Sequence, residues 1–129
     1  MTKHALIVDD NPANVEVMEQ LLLREGVAAV STNSPHDVAA ALDAMPSIDV
    51  IFLDLEFPSG DGYKLIEVLR ADARLENVPI VAYTVHLSQQ NEARDAGFHS
   101  FLGKPLNVDR FPDQLRRILS GESVWEVSQ

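Results

Sequence analysis

Five short runs of apolar residues recur along the chain, and each is followed by a segment whose apolar residues have helical spacing. Largely uninterrupted apolar runs of this length are typical of strands that are buried on both faces of a sheet. The runs cover residues 5–8, 27–32, 50–53, 79–83 and 98–102. Strands that alternate with helices predict an α/β fold, with one parallel sheet, helices on both of its faces and right-handed crossovers.

The segments between the runs carry the usual start and stop signals of helices. Pro12, for example, stands near the start of the first helical pattern, and Gly26 stands at its end. The predicted helices cover about residues 12–26, 35–45, 61–74, 87–96 and 108–119. Five such units predict a three-layer, doubly wound (βα)5 domain.

Composition limits the classes of function. The chain has 129 residues, 46% of them hydrophobic, which is enough for one domain with its own core. We predict this domain at residues 1–121 and a short tail at residues 122–129. The net charge of −10 argues against a basic surface that binds nucleic acid. The chain has no cysteine, signal peptide or apolar membrane span, so we expect a soluble, cytoplasmic protein without membrane contact.

The tail carries one aromatic residue, Trp125. A large aromatic side chain beyond the last helix needs a surface to pack against. The sequence leaves three surfaces open: its own domain, a second copy of the chain, or another protein.

Polar residues stand at the carboxyl ends of four predicted strands. In open parallel sheets, binding sites form at this edge. Each residue also has an ordinary role: the acids can cap a helix, the threonine can form a local turn bond, and the lysine can be solvated. Because Asp54 stands at the end of its strand, we expect its side chain not to be buried. The polar residues at these strand ends are Asp9, Asp10, Asp54, Thr84 and Lys104.

Electrostatics restricts what three carboxylates can do at one edge. Two carboxylates about 4 Å apart repel each other by about 1 kcal/mol in water and about 4 kcal/mol at an effective dielectric constant of 20. Lys104 alone does not balance three acids, so either one carboxyl group is protonated or a divalent cation is bound. The candidate ligands are all oxygens, which favours Mg²⁺ over zinc. A metal beside an aspartate nucleophile, a hydroxyl and a lysine predicts phosphoryl transfer.

The chain resembles the receiver domain of two-component response regulators, which has the chemotaxis-type, flavodoxin-like fold. The resemblance covers about residues 4–120 and implies a five-stranded parallel sheet with strand order 2-1-3-4-5. It rests on the order and spacing of Asp9–Asp10, Asp54, Pro58, Asp61–Gly62, Thr84 and Lys104–Pro105.

The resemblance implies a role for each acidic residue. Asp54 is the expected phosphoacceptor, which takes a phosphoryl group from a histidine kinase, a phosphotransfer protein or a small donor such as acetyl phosphate. Asp10 is the expected direct ligand of Mg²⁺, and Asp9 holds the ion through water or a hydrogen bond. The carboxylate of Asp54 and the backbone carbonyl of Glu56 complete the protein ligands.

The resemblance also implies a switch. Lys104 is expected to pair with the acyl phosphate, and Pro105 is expected to follow a cis peptide bond. Thr84 moves to bond the phosphate, and Phe101 rotates with it. The fourth helix, the fifth strand and the last helix then form the face that binds a downstream protein, in a monomer or a weak homodimer.

Three positions near the site are expected to tune the kinetics. Glu56 and His86 occupy variable positions that, by the resemblance, adjust the loss of phosphate. For His86, an exposed residue at the start of a helix is an equally good interpretation. Val85 follows Thr84 where the family usually has Ala or Gly, so it either narrows access to the phosphate or only packs.

We expect the protein to catalyse only its own phosphorylation and dephosphorylation. Two alternatives remain at this point. The first is a receiver-like interaction module that signals without phosphorylation. The second is a metal-dependent phosphatase that acts on an external substrate. The spacing of Asp54 and Glu56 superficially resembles the Asp-x-Asp nucleophile motif of such enzymes, but the chain is too short for their larger, capped fold.

Overall fold

The computed structural model describes residues 2–56 and 61–126, so Pro58 of the matched pattern lies outside the described residues. Within them, one sheet contains six strands in the order β2-β1-β3-β4-β5-β6, and every neighbouring pair is parallel. The five predicted strands and their order are confirmed. The strands are β1 (Lys3–Val8), β2 (Val27–Thr32), β3 (Val50–Asp54), β4 (Ile80–Thr84), β5 (Ser100–Gly103) and β6 (Trp125–Glu126).

In residues 2–56 and 61–126, five α-helices connect the strands, as predicted, but some begin or end elsewhere. The third helix ends four residues early because the Asp72 carboxylate accepts a hydrogen bond from the backbone N–H of Arg74, which caps a separate 3₁₀ turn. Residues 87–89 also form a 3₁₀ turn, and Val108 is exposed ahead of the last helix. The helices are α1 (Pro12–Arg24), α2 (Val38–Ala44), α3 (Asp61–Arg70), α4 (Gln90–Ala96) and α5 (Phe111–Leu119).

The start of α1 explains a local choice of residues. The side chain of Asn11 accepts hydrogen bonds from the backbone N–H groups of Ala13 and Asn14, so Asn11 caps the helix. The capping role that was open to Asp9 and Asp10 is therefore filled by their neighbour. Both acids remain available for another purpose.

Two apolar layers enclose the sheet. The layer under α2, α3 and α4 contains alternate residues of β3 such as Ile51 and Leu53, and the layer under α1 and α5 contains Val50 and Phe52. All five residues of β3 are buried, and the apolar run 50–53 predicts this for the first four of them. Within the described residues, no helix is both long enough and apolar enough to cross a membrane.

The tail adds a strand to the free edge of β5. The backbone N–H of Phe101 donates to the carbonyl of Val124 over 2.8 Å, and the N–H of Val124 donates to the Ser100 hydroxyl over 2.9 Å. The Trp125 ring stacks on Phe101, and the Arg94 guanidinium lies 4.5 Å from the Trp125 ring centroid. Trp125 therefore packs on its own domain.

Candidate functional site

The carboxyl ends of the strands bring the predicted acids together. Carboxylate oxygens of Asp9, Asp10 and Asp54 lie within 4.8 Å of one another. Asp10 is exposed, whereas Asp9 and Asp54 are 1% and 2% exposed. The acidic cluster is thus partly inside the protein and open to solvent through Asp10.

The expectation that a strand end relieves Asp54 of burial is wrong. Asp54 is enclosed like the rest of β3, in which all five residues are buried. Two donors compensate it: the Lys104 ammonium and the backbone N–H of Glu56, each 2.9 Å from Oδ1. Burial nevertheless dominates and raises the pKa of Asp54 to about 6, although the bonds from Lys104 and Glu56 act to lower it.

Asp9 is fixed by two donors. The Tyr83 hydroxyl donates to Oδ2 over 2.6 Å, and the backbone N–H of Asn11 donates to Oδ1 over 2.8 Å. Burial, and then the bond to Asp9, raise the pKa of Tyr83 above its ordinary value of 10, so the phenol remains a donor at neutral pH. Both oxygens of the Asp9 carboxylate are therefore held in place.

Sequence reasoning missed Tyr83, which it treated only as part of a strand. The signal that could have found it is the alternation along strands. Tyr83 is paired in register with Asp54, and it packs in the same apolar layer as Phe52, two residues before Asp54. These relations place the Tyr83 side chain on the same face of the sheet as Asp54.

Lys104 is the cation that joins the acids. Its side chain is 6% exposed, and its ammonium lies 2.9 Å from Asp54, 3.6 Å from Asp9 and 3.6 Å from Glu56. It also lies 4.6 Å from the centroid of the Tyr83 ring. The peptide bond between Lys104 and Pro105 is cis, as the resemblance implied.

The Glu56 side chain reaches across to the end of β4. Its Oε2 accepts hydrogen bonds from the backbone N–H of Val85 over 2.8 Å and from the Thr84 hydroxyl over 3.3 Å. The Thr84 oxygen in turn accepts from the backbone N–H of His86 over 3.1 Å. Sequence reasoning placed Glu56 and Thr84 near the site, but it did not foresee this bond between them.

The remaining predicted residues lie around this centre. Val85 and His86 are exposed, and Thr84 is buried. Phe101 is also buried, one strand away on β5, where Trp125 covers its ring. The structure therefore places the predicted switch residue between the site and the tail.

The donor set fits a hard divalent cation. The clustered ligand atoms are carboxylate oxygens, which suit Mg²⁺, and the nearby Lys104 supplies one positive charge against three aspartates and Glu56. The exposure of Asp10 leaves one side of the cluster open to solvent. The residues that are present therefore fit a magnesium ion that keeps open positions for other oxygens.

Comparisons with known proteins agree with this geometry. A family model described as the response regulator receiver domain matches residues 5–116. The polar-differentiation response regulator DivK of Brucella ovis is 28% identical over 121 residues, which is 92% of this chain and 98% of that protein. A receiver domain (CheY-like) from Methylobacillus flagellatus is 28% identical, with a TM-score of 0.77 over 92% of this chain and 99% of its own.

A third similar protein contains a magnesium ion. The receiver domain of a Pseudomonas aeruginosa sensor histidine kinase is 25% identical, with a TM-score of 0.81 over 93% of this chain and 99% of its own. That protein has a magnesium ion coordinated in its active-site cleft. The match of the family model to most of the sequence, together with these relatives, shows that the chain belongs to the response regulator receiver domain family.

Proposed function

We propose that this receiver accepts a phosphoryl group on Asp54, in a reaction that needs Mg²⁺, and passes the signal to a protein partner. The observation that carries the proposal is the position of the Asp54 carboxylate, 2.9 Å from the Lys104 ammonium and clustered with the carboxylates of Asp9 and Asp10. A nucleophile, a cation and a set of oxygen ligands are the parts that phosphoryl transfer requires.

In this reaction, an ionised oxygen of Asp54 attacks phosphorus and forms an acyl phosphate. The bond from phosphorus to the donor breaks, and its electron pair leaves with the donor: the imidazole of a phosphohistidine or the acetate of acetyl phosphate. Asp9, Asp10, Asp54 and the backbone carbonyl of Glu56 would hold the Mg²⁺ ion. When it is bound, the ion supplies charge that neutralises the phosphoryl oxygens.

The chain's own donors would then hold the phosphoryl group. Lys104 is already beside Asp54, and its ammonium can pair with a phosphoryl oxygen without a large movement. The Thr84 hydroxyl and the backbone N–H of Val85 lie together at the end of the neighbouring strand and can donate to the other oxygens. A phosphoryl group that attracts Thr84 favours one arrangement of this strand end over another.

The signal would leave the site through Phe101. Its ring is buried under Trp125, so a rotation of Phe101 that follows Thr84 requires the aromatic stack to change. The face formed by α4, β5 and α5, together with the strand β6 that covers the edge of β5, would then present a different surface to a downstream protein.

We also propose that a histidine kinase or a phosphotransfer protein donates the phosphoryl group and that a separate downstream protein binds the phosphorylated chain. The protein would act in the cytoplasm, as a monomer or a weak homodimer, and would turn over no external substrate. Membership of the receiver family and the acidic surface support this part of the proposal.

The test is incubation with acetyl phosphate and Mg²⁺, followed by intact-protein mass spectrometry. The wild-type chain should gain the mass of one phosphoryl group, and Asp54→Asn should gain none. No gain with acetyl phosphate or with a phosphorylated histidine phosphotransfer protein would favour a receiver that signals without phosphorylation.

A further inference from the structure

One carboxylate oxygen of Glu56 lies where three donors meet. The backbone N–H of Val85, the hydroxyl of Thr84 and the ammonium of Lys104 lie 2.8, 3.3 and 3.6 Å from Oε2. These are the donors that the proposed function assigns to the phosphoryl oxygens. The same Lys104 ammonium also contacts Asp54. Glu56 therefore lies close to the proposed phosphoacceptor and contacts the donors proposed for the phosphoryl group.

An anion at this place satisfies donors that are partly buried. Thr84 is fully buried and the Lys104 side chain is 6% exposed, so water cannot easily replace a lost partner. A buried donor without an acceptor is destabilising, and this applies to the Thr84 hydroxyl, because Lys104 keeps Asp54 as a partner. The carboxylate of Glu56 therefore stabilises the unphosphorylated site.

The position of Glu56 also allows its side chain to be displaced from these donors. Its backbone N–H is fixed to Asp54 over 2.9 Å, which anchors the residue next to the acceptor. Its side chain is 30% exposed, whereas Thr84 and the Lys104 side chain are buried, and it can move into solvent by rotation about its own bonds. A negatively charged phosphoryl group on Asp54 would repel this carboxylate and compete for the same donors.

We propose that the Glu56 carboxylate is an internal stand-in for the phosphoryl group, which occupies the donors of Thr84, Val85 and Lys104 until a phosphoryl group on Asp54 displaces it. The inference rests on the proposed function and adds a regulatory step to it. Each phosphorylation must break the contacts of Glu56, so the chain accepts phosphate less readily than it would with a neutral residue at this position.

A simple charge effect makes a different prediction from displacement. If Glu56 acted only through its negative charge, any carboxylate nearby would weaken phosphoryl binding to a similar degree. If it acts by occupying the donors, a shorter carboxylate that cannot reach Val85 would lose most of the effect while it keeps the charge. Glu56→Asp therefore separates the two cases, and Glu56→Gln removes the charge at nearly constant shape.

The experiment measures the affinity for beryllofluoride, a phosphoryl analogue, at saturating Mg²⁺ by calorimetry. We expect Glu56→Gln to bind about tenfold more tightly than the wild-type chain, which corresponds to one charge-assisted hydrogen bond. Glu56→Asp should bind beryllofluoride at least about threefold more tightly than the wild-type chain. Glu67→Gln, which removes an exposed carboxylate on α3, should bind like the wild type.

A second readout is the amide proton of Val85 in nuclear magnetic resonance spectra without beryllofluoride. This proton should resonate downfield in the wild type because it is bonded to a carboxylate, and upfield in both Glu56 variants. With beryllofluoride, all variants should converge on one chemical shift. Such convergence identifies the same N–H group as the donor to both anions.

Three outcomes would overturn the inference. Equal affinity in the wild type and Glu56→Gln would overturn the inference alone, as would a Glu56→Asp variant that binds no more tightly than the wild type. Absence of beryllofluoride binding from every variant, Glu67→Gln included, would overturn the proposed function and the inference with it.

Discussion

The ring of Trp125 lies on the ring of Phe101, with centroids 5.9 Å apart and planes inclined by 11°. The tail residue and the predicted switch residue thus form one aromatic stack at the edge of the sheet. The backbone pairing of β5 with β6 holds the stack in register. A change at Phe101 cannot leave Trp125 unaffected.

Trp125 should report phosphorylation through its fluorescence. It is the single tryptophan of the chain, so intrinsic emission has one source. Acetyl phosphate with Mg²⁺ should change the emission intensity, because rotation of Phe101 disturbs the stack. The change should be absent from Asp54→Asn. An identical emission from the phosphorylated and free wild type would contradict the coupling between Asp54 and the tail.

The tail should also contribute to stability. Trp125→Ala removes the aromatic stack and the contact with Arg94, and we expect it to lower the free energy of unfolding by about 1–3 kcal/mol. Urea denaturation followed by circular dichroism measures the loss. Val108→Ala, at an exposed position, is the control and should change stability by less than about 0.5 kcal/mol. Equal effects of the two variants would show that the tail does not dock.

The two tyrosines offer a matched test of the bond to Asp9. Tyr83→Phe removes a buried hydrogen bond to a carboxylate, which contributes about 1.5–3 kcal/mol. Tyr63→Phe removes a half-buried bond to the neutral Gln89 side chain, which contributes about 0.5–1.5 kcal/mol. Urea denaturation in metal-free buffer should therefore show a larger loss for Tyr83→Phe. The reverse order would exclude Tyr83 as a support of Asp9.

Asp54 should make stability depend on pH. Its pKa is raised to about 6 by burial, from an ordinary value of 3.8. Between these two values the folded protein keeps a proton that the unfolded chain has lost. The free energy of unfolding therefore falls as pH rises from about 4 to about 6, by up to about 3 kcal/mol, and stays lower above pH 6.

Asp54→Asn should remove this dependence, because the amide resembles the protonated carboxyl group. We expect the variant to be more stable than the wild type by about 1–3 kcal/mol at pH 7.5 in metal-free buffer. The two proteins should have similar stability near pH 4. A variant that is less stable than the wild type at pH 7.5 would contradict the raised pKa.

Lys104→Met should destabilise the fold at neutral pH. It preserves most of the buried stem but leaves Asp9 and Asp54 without their cation, which we expect to cost about 3–5 kcal/mol. Without Lys104 the pKa of Asp54 should rise further, so the loss should shrink when the pH is lowered to 5. Urea titrations at pH 5 and pH 7.5 measure this. A loss that is equal at both pH values would contradict the role of Lys104 as the counterion of Asp54.

The central elements of the fold could be predicted from sequence because burial on both faces leaves a plain pattern. The run 50–53 has four apolar residues in succession, and β3 forms there. The end of α3 could not be predicted in the same way, because a single bond from the Asp72 side chain decides it. Strand β6 escaped prediction because two residues carry no period, and the contact of Trp125 with Phe101 holds them.

The candidate site divides in the same way. The strand-end rule brings Asp9, Asp54 and Lys104 to one edge, and the structure places them together. The rule says nothing of how deeply Asp54 is buried, because that depth depends on the tertiary packing around the strand end. It also cannot give the rotamer of Glu56, because the donors that decide it belong to another strand.

Reductive trapping tests the central claim most directly. The wild-type chain is treated with acetyl phosphate and Mg²⁺ and then with borohydride, which reduces an acyl phosphate of aspartate to homoserine, and the peptides are sequenced by mass spectrometry. The account predicts homoserine in place of Asp54 and an unchanged Asp9 and Asp10. Homoserine at another aspartate, or at none, would contradict it.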